Sequence, residues 1–186
     1  MNIVTYFRAQ AYNNAWSNHR LLSACLQLGD DELTATRTSF FPSINHTLNH
    51  ILTVDWYYVS ALEGECVGAS AWEPEIPCPT MKDLDREQRA VDQRLVALCE
   101  GYTEPDLDAT IDMIRPDRIQ KETAGRTLLH LFQHQVHHRG QAHAMLSGTR
   151  IRAPQLDEFF LGDEKERSFR HEDFAALALD EDAIWR

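Results

Sequence analysis

The stretch LLHLFQHQVHHRGQAHAML, residues 128–146, decides the fold that the sequence predicts. An α-helix turns by 100° per residue, so His134 and His138 lie one turn apart on one face. The same face continues through three apolar or small residues, Leu131, Ala142 and Met145. This pattern indicates that the histidine face is turned toward an apolar interior. We therefore predict a long helix that begins near Arg126 and ends before Gly148.

Three further segments carry apolar residues at helical spacing. They are residues 2–28, residues 43–63 and residues 80–101. Ser43 and Thr80 precede two of these segments and are suited to accept a hydrogen bond from an early helical N–H. Four helices of about 20 residues are what a four-helix bundle requires, so we predict an all-α bundle. The connections are longer than in the simplest up-and-down bundles, which leaves the topology open.

The segments between and after these helices are less regular. Residues 64–79 hold three prolines and two glycines and are predicted to be a loop. Residues 109–113 and 119–123 alternate weakly and could form short strands or a small hairpin. We expect one domain over residues 1–186. Its bundle core would occupy about residues 1–148, and residues 149–186 would add short helices that cover the bundle.

Composition limits the class of protein. The chain has 186 residues, of which 43% are hydrophobic and 25% charged, as in an ordinary globular protein. Its net charge of −11 argues against nucleic acid as a partner, because such binding depends on Lys and Arg meeting phosphates. No apolar run is long enough to cross a membrane, and the first residues do not resemble a secretion signal. We expect a cytoplasmic protein with four reduced cysteines.

The histidines indicate a metal site. His134 and His138 can converge on one ion, and His50, on the apolar face of the helix over residues 43–63, is the natural third ligand. Such a site suits one divalent transition metal: zinc or nickel by preference, with iron or copper as alternatives. Three imidazoles leave a coordination position open, which is typical of catalytic sites. The alternative is that the histidines are hydrogen-bonded residues of a core or an interface, in a metal-free interaction module.

The residues around His134 argue against two other classes of helical metal protein. A zincin-type protease needs a glutamate after its first histidine, and Gln135 cannot act as that general base. A di-iron carboxylate bundle needs Glu-x-x-His motifs, and residues 126–146 contain no acidic side chain.

Several polar residues lie near the expected site. His46 and His130 each lie one turn before a proposed ligand and could be further ligands, proton carriers or packing residues. His137 lies 100° from His138 and is expected to point aside. We expect Asp55 to be a solvated helical residue rather than a partner of a ligating histidine, and Gln141 to bond a metal-bound water. Arg139 could hold a substrate carboxylate or form a surface salt bridge.

Three segments carry a family resemblance. They are YNNAWSNHRLLSACLQL (residues 12–28), SINHTLNHILTVDWYYVSAL (residues 43–62) and LLHLFQHQVHHRGQAHAML, with PQLDEFFL (residues 154–161) following. They are distributed over residues 12–161, which is most of the length of the chain. The pairing of TLNH with H-x-x-x-HRGQ resembles the DinB/YfiT-like superfamily of metal-dependent helical bundles.

The resemblance implies a four-helix bundle with an unusual crossover order, which is often dimeric. It also implies a three-histidine metal site at His50, His134 and His138. Characterised relatives include thiol-dependent S-transferases and a mycothiol-dependent maleylpyruvate isomerase. The resemblance therefore implies a metal-dependent enzyme that activates a low-molecular-weight thiol toward an electrophilic substrate, for S-transfer or isomerisation. The alternative is a metal-binding or stress-response protein without turnover.

Overall fold

The computed structural model describes residues 1–65 and 67–186, and for residue 69 it describes the backbone alone. In chain order its helices are α1 (Ile3–Cys25), α2 (Asp30–Thr34), α3 (Ile44–Leu62), α4 (Met81–Gly101), α5 (Glu104–Asp108), α6 (Ala124–Ser147), α7 (Glu164–Ser168) and α8 (His171–Leu177). Two short 3₁₀ turns cover Gly68–Trp72 and Glu181–Trp185. Helices α1, α3, α4 and α6 have 19 to 24 residues each. The predicted set of four long helices is therefore confirmed.

The region between α5 and α6 is a β-hairpin. Strand β1 (Thr110–Ile114) pairs antiparallel with β2 (Ile119–Thr123), with Met113 opposite Gln120. Of the alternatives that the sequence left open, the hairpin is correct, and β1 begins one residue later than predicted. Helix α2 lies in a connection where no helix was expected, and α1 ends at Cys25 because the next residues form a tighter turn.

The beginnings of all four long helices are marked by side-chain caps. The Asn2, Ser43, Thr80 and Thr123 side chains each accept a hydrogen bond from the backbone N–H three residues later. Such a cap satisfies one of the helical N–H groups that lack an intrahelical partner. The caps predicted at Ser43 and Thr80 are therefore present.

The packing of the four long helices gives the order around the bundle. Helix α1 packs mainly against α4, and α3 packs mainly against α6. Contacts of α3 with α4 and of α1 with α6 close the ring. The ring therefore runs α1, α4, α3, α6, so α1 and α3, which are consecutive long helices, lie diagonally opposite. A diagonal step needs a long connection, which explains why the segment between them has 18 residues (26–43).

The C-terminal residues pack on the outer side of α1. The Trp16 indole Nε1 donates to Asp173 at 2.9 Å, and the Trp16 ring lies 5.3 Å from that of Phe159. The Tyr12 ring stacks on Phe174 at 6.3 Å. Trp16 and Tyr12 are almost completely buried, so this segment completes the core on that side. None of the helices in the described part of the chain is both long and apolar enough to traverse a bilayer.

Candidate metal centre

The three histidines singled out in the sequence come together where α3 packs against α6. The ligand atoms of His50, His134 and His138 all lie within 4.8 Å of one another. The Nε2 atoms of His50 and His134 are 3.0 Å apart. Centroid distances between the rings are 4.4 Å for His134 and His138, 4.6 Å for His50 and His138, and 5.0 Å for His50 and His134.

The donor set fits one transition-metal ion. A zinc–nitrogen bond measures about 2.0–2.1 Å, so two nitrogens on one ion lie at most about 4.2 Å apart. The nitrogens of the three histidines need only small side-chain movements to satisfy this limit. The donors are all imidazoles, which suit zinc, nickel, copper and iron.

Burial keeps these histidines neutral. Burial, together with the neighbouring His138, lowers the pKa of His134 to about 3 and that of His50 to about 4. The pKa of His138 is lowered as well, again mainly by burial. A metal ligand must be unprotonated, so near neutral pH all three rings have a nitrogen lone pair available.

Gln141 orients the third ring. The His138 Nδ1 lies 2.8 Å from the Gln141 Oε1. This oxygen can accept a hydrogen bond from Nδ1–H, which leaves the His138 Nε2 free as a ligand. The Gln141 amide nitrogen lies 3.2 Å from the exposed His137, which fixes the orientation of the amide. The Gln141 side chain is thus engaged with His138 and His137, and its contact with a metal-bound water remains a prediction. His137 points aside, as predicted. The His134 Nδ1 is buried and has no hydrogen-bond partner among the described residues.

Two further histidines flank the cluster without joining it. The His46 Nε2 pairs with the Glu75 Oε1 at 2.9 Å. The exposed His130 packs edge-on against the Tyr58 ring, 5.1 Å away, and 6.3 Å from His134. Neither belongs to the group of side chains that could share one ion.

Phe41 is a site residue that the sequence analysis missed. Its ring centroid lies 4.3 Å from that of His50, 4.8 Å from His46 and 5.7 Å from His138. It therefore covers one side of the cluster with an apolar surface. Phe41 lies in the connection before α3, where no periodic pattern indicates which side chains turn inward.

A buried polar network adjoins the cluster and joins all four long helices. Its members are Asn14 and Asn18 of α1, Asp55 of α3, Gln88 and Asp92 of α4, and Gln135 and Arg139 of α6. Each is at most 5% exposed. Gln135 and Arg139 directly follow His134 and His138 in the sequence. Their buried bonds fix the rotation of α6 that turns both histidines toward α3.

Two interpretations of single residues are corrected by this network. Asp55 is buried, not solvated, and accepts hydrogen bonds from the Gln88 and Gln135 amides. Arg139 forms no surface salt bridge, because its guanidinium is buried and donates to Asn14 at 2.8 Å and Asn18 at 3.0 Å. Charged side chains are seldom buried unless partners surround them, and those partners come from other helices.

The two carboxyls of the network are shifted toward their neutral forms. Burial, together with the nearby Asp92, raises the pKa of Asp55 to about 8, although the Gln88 and Gln135 amides oppose the shift. Burial also raises the pKa of Asp92 to about 7, although amide donors and Arg139 oppose the shift. Burial lowers the pKa of Arg139 to about 10.

Together the ring order and the histidine cluster define a class of protein: helical bundles with a three-histidine group between two helices. Within that class, the chain belongs to the DinB family, whose model matches residues 4–163. It is 25% identical over 147 residues to Protein DinB of Bacillus subtilis (strain 168), covering 75% of this chain and 83% of that protein.

Solved structures share the fold. A DinB-like protein from Bacillus cereus ATCC 10987 superimposes with a TM-score of 0.61 at 20% identity, over 77% of this chain and 91% of that one. The DinB-like protein YjoA from Bacillus subtilis gives a TM-score of 0.55 at 22% identity, over 84% and 97% of the two chains. The four-helix bundle of DinB/YfiT-like type predicted from the sequence is thus confirmed.

Proposed function

We propose that this chain is a metal-dependent enzyme that holds one divalent transition metal, zinc or nickel by preference, through His50, His134 and His138. One observation carries the proposal: three neutral, partly buried imidazoles from two helices point their nitrogens at a common space within 4.8 Å. The Nε2 atoms of His50 and His134 face each other at 3.0 Å, where a single ion could accept both lone pairs.

Each residue around the centre has a definite role in this proposal. His50, His134 and His138 bind the ion, and Gln141 holds the proton on the His138 Nδ1. Phe41 excludes water from one side, because its ring covers His50 and His138. The metal would supply Lewis-acid chemistry at its open position and lower the pKa of a thiol or water bound there.

The proposed reaction is activation of a low-molecular-weight thiol for transfer to an electrophile or for isomerisation. It rests on the family resemblance together with the open position that three imidazole ligands leave. A metal-binding protein without turnover would use the same three ligands, so the experiment must separate the two.

Metal content tests the site. Untagged protein should carry about one equivalent of zinc or nickel by elemental mass spectrometry, and His134→Ala should lose it. The matched control is His130→Ala, one turn earlier on the same helix, which should keep it. No metal in the wild-type protein, even after it is loaded with zinc or nickel and dialysed, would refute the proposal.

Turnover is tested separately with the loaded protein. A rate of thiol transfer to a model electrophile above that of the same concentration of free metal would support an enzyme. Retained metal with no such rate would leave a metal-binding protein.

A further inference from the structure

A cavity lies one helical turn from the histidine cluster. It has a volume of about 250 Å³ and opens between the hairpin, the C-terminal part of α3 and the first half of α6. Its lining includes Tyr58, Arg115, Glu122, Arg126 and His130. The His130 ring borders this cavity and also lies 6.3 Å from the ring of His134. The cavity therefore adjoins the centre at which the proposed reaction would occur.

The hairpin places Arg115 in this cavity. Successive residues of a strand point to opposite faces, so Arg115, immediately after β1, shares the face of Met113, which is buried against the bundle. The hairpin is attached to α3, because the Tyr57 hydroxyl donates to the Ile114 carbonyl at 3.0 Å. The direction of the Arg115 side chain is thus set by two packed elements.

Arg115 is held in place by neutral groups. Its Nε donates to the Gln120 Oε1 at 3.0 Å, and a terminal nitrogen donates to the Tyr58 hydroxyl at 3.2 Å. Its guanidinium carbon lies 5.0 Å from the centre of the Tyr57 ring. Within residues 1–65 and 67–186 it forms no ion pair with a carboxylate. These contacts immobilise the cation without neutralising it.

The charge of the cavity is therefore positive. Arg126 and Glu122, the other charged residues on its lining, pair with each other at 3.4 Å and offset one another. The charge of Arg115 is therefore not balanced by another residue of the cavity lining, although the net charge of the whole chain is −11. A fixed, partly buried guanidinium beside a cavity is suited to a carboxylate, which its fork of N–H donors can bind through two parallel bonds.

We propose that this cavity binds the carboxylate of the substrate, and that the protein acts on small organic acids. This inference rests on the proposed function, since the reactive end of the same molecule would lie at the histidine centre. Arg115 is then the residue that selects an anionic substrate over a neutral one.

Anion binding can be measured without any metal. The Nε–H signal of Arg115 in ¹⁵N NMR spectra is assigned by its loss in Arg115→Gln, and metal-free protein is titrated with succinate at constant ionic strength. We expect a saturable shift of this signal with succinate and none with succinamide. The internal control is Arg118, which is exposed and paired with Asp117, and should not shift. No shift with up to about 50 mM succinate, or an equal shift of Arg118, would overturn the proposal.

A second experiment tests whether one molecule can reach both the cavity and the histidine centre. Cobalt-loaded protein is mixed with mercaptoacetate, 3-mercaptopropionate or 4-mercaptobutyrate, and each acid is compared with the corresponding amide. Thiol binding is followed by the cobalt absorption spectrum. At one chain length at least, the acid should bind about tenfold more tightly than the amide, as expected for a charged hydrogen bond. Arg115→Gln should abolish this preference while retaining the metal, and Arg118→Gln should keep it.

Equal binding of acid and amide at all three lengths would overturn the proposal. Failure of the chain to bind cobalt would instead count against the proposed metal centre. The succinate titration, which needs no metal, would then still decide whether the cavity binds an anion.

Discussion

Among individual residues, those that orient the histidines matter as much as the histidines themselves. His138 can offer Nε2 as a ligand because Gln141 engages its Nδ1, and Gln141 is itself held by His137. Groups that hold the second nitrogen of a ligating imidazole typically change metal affinity by 10- to 100-fold when they are removed.

Replacement of Gln141 by leucine should therefore weaken zinc binding by roughly tenfold or more. The cause is the loss of the acceptor that fixes the His138 tautomer. Affinity can be measured by competition with a chromogenic chelator. Gln133→Leu, at an exposed position of the same helix, is the matched control and should bind zinc as the wild-type protein does. Equal affinities in all three proteins would show that Gln141 does not support the site.

Asp55 predicts a pH dependence of stability. Its folded pKa of about 8 exceeds the ordinary aspartate value of 3.8, so the folded protein keeps a proton that the unfolded chain releases. The contribution of Asp55 to the free energy of unfolding is therefore complete below about pH 4 and is lost as pH rises toward 8. The lowered pKa values of His50 and His134 act oppositely, but only below about pH 6.5.

The free energy of unfolding of the metal-free wild-type protein should decline between pH 6.5 and 8. In Asp55→Asn this decline should be smaller, by up to about 1 kcal/mol per pH unit. Asparagine can still accept from Gln88 and Gln135 while carrying no charge. Denaturant unfolding at several pH values measures the slope. Asp117→Asn, in the exposed turn of the hairpin, should leave it unchanged. An unaltered slope in Asp55→Asn would mean that Asp55 does not hold a proton in the folded state.

Among the elements, α3 and α6 build the histidine cluster and the connection before α3 covers it. Helix α3 begins at Ile44, where the Ser43 hydroxyl accepts a hydrogen bond from the His46 N–H at 3.2 Å. The cap therefore joins the covering segment, which carries Phe41, to the helix that carries His50.

Ser43→Ala should lower the free energy of unfolding by about 1 kcal/mol, because the alanine side chain cannot accept this bond. Ser43→Asp, which retains an acceptor, should remain close to the wild-type value. Chemical denaturation followed by circular dichroism gives both numbers. Equal destabilisation by alanine and aspartate would contradict a capping role.

The features that could be predicted from the sequence are those that depend on residues of a single helix. The spacing of His134 and His138 is visible within α6, and the apolar faces and the caps at Ser43 and Thr80 are local features. Sequence reasoning failed where the environment comes from other helices. The burial of Asp55 depends on Gln88 and Gln135, which no local pattern connects to it.

Short and irregular elements were also hard to predict. Two weakly alternating segments of five residues do not show whether they pair with each other, so separate short strands and a hairpin both stayed open. Phe41 carried no signal because its position depends on how the connection folds back over α3. Arg115 gave no signal in the sequence for the same reason, because its position in the cavity depends on the packing of the hairpin.

At the scale of the whole molecule, α1 and α6 expose an apolar surface. Where α1 packs on α6, large apolar side chains are exposed: Ile3 by 46%, Leu129 by 50% and Val136 by 54%. Ile3 and Leu129 line the same shallow cavity. The family resemblance implies a homodimer, and we propose that this α1–α6 surface forms its interface, because clustered apolar residues favour association.

Wild-type protein should then have a mass in light scattering of about twice 21.4 kDa. The double variant Leu129→Glu/Val136→Glu should have the mass of a single chain, because charges in an apolar interface oppose association. Ile119→Glu, which changes an equally exposed residue of β2, should remain dimeric. A monomeric wild-type protein, or a dimeric double variant, would refute the proposed interface.

The central claim is that three imidazoles hold one metal ion, and X-ray absorption spectroscopy at the metal edge of zinc-loaded protein tests it most directly. We predict three imidazole nitrogens at about 2.0–2.1 Å together with at least one non-imidazole ligand, and loss of the imidazole signal in His134→Ala. A wild-type spectrum with oxygen ligands alone, or a His134→Ala spectrum identical to that of the wild-type protein, would contradict it.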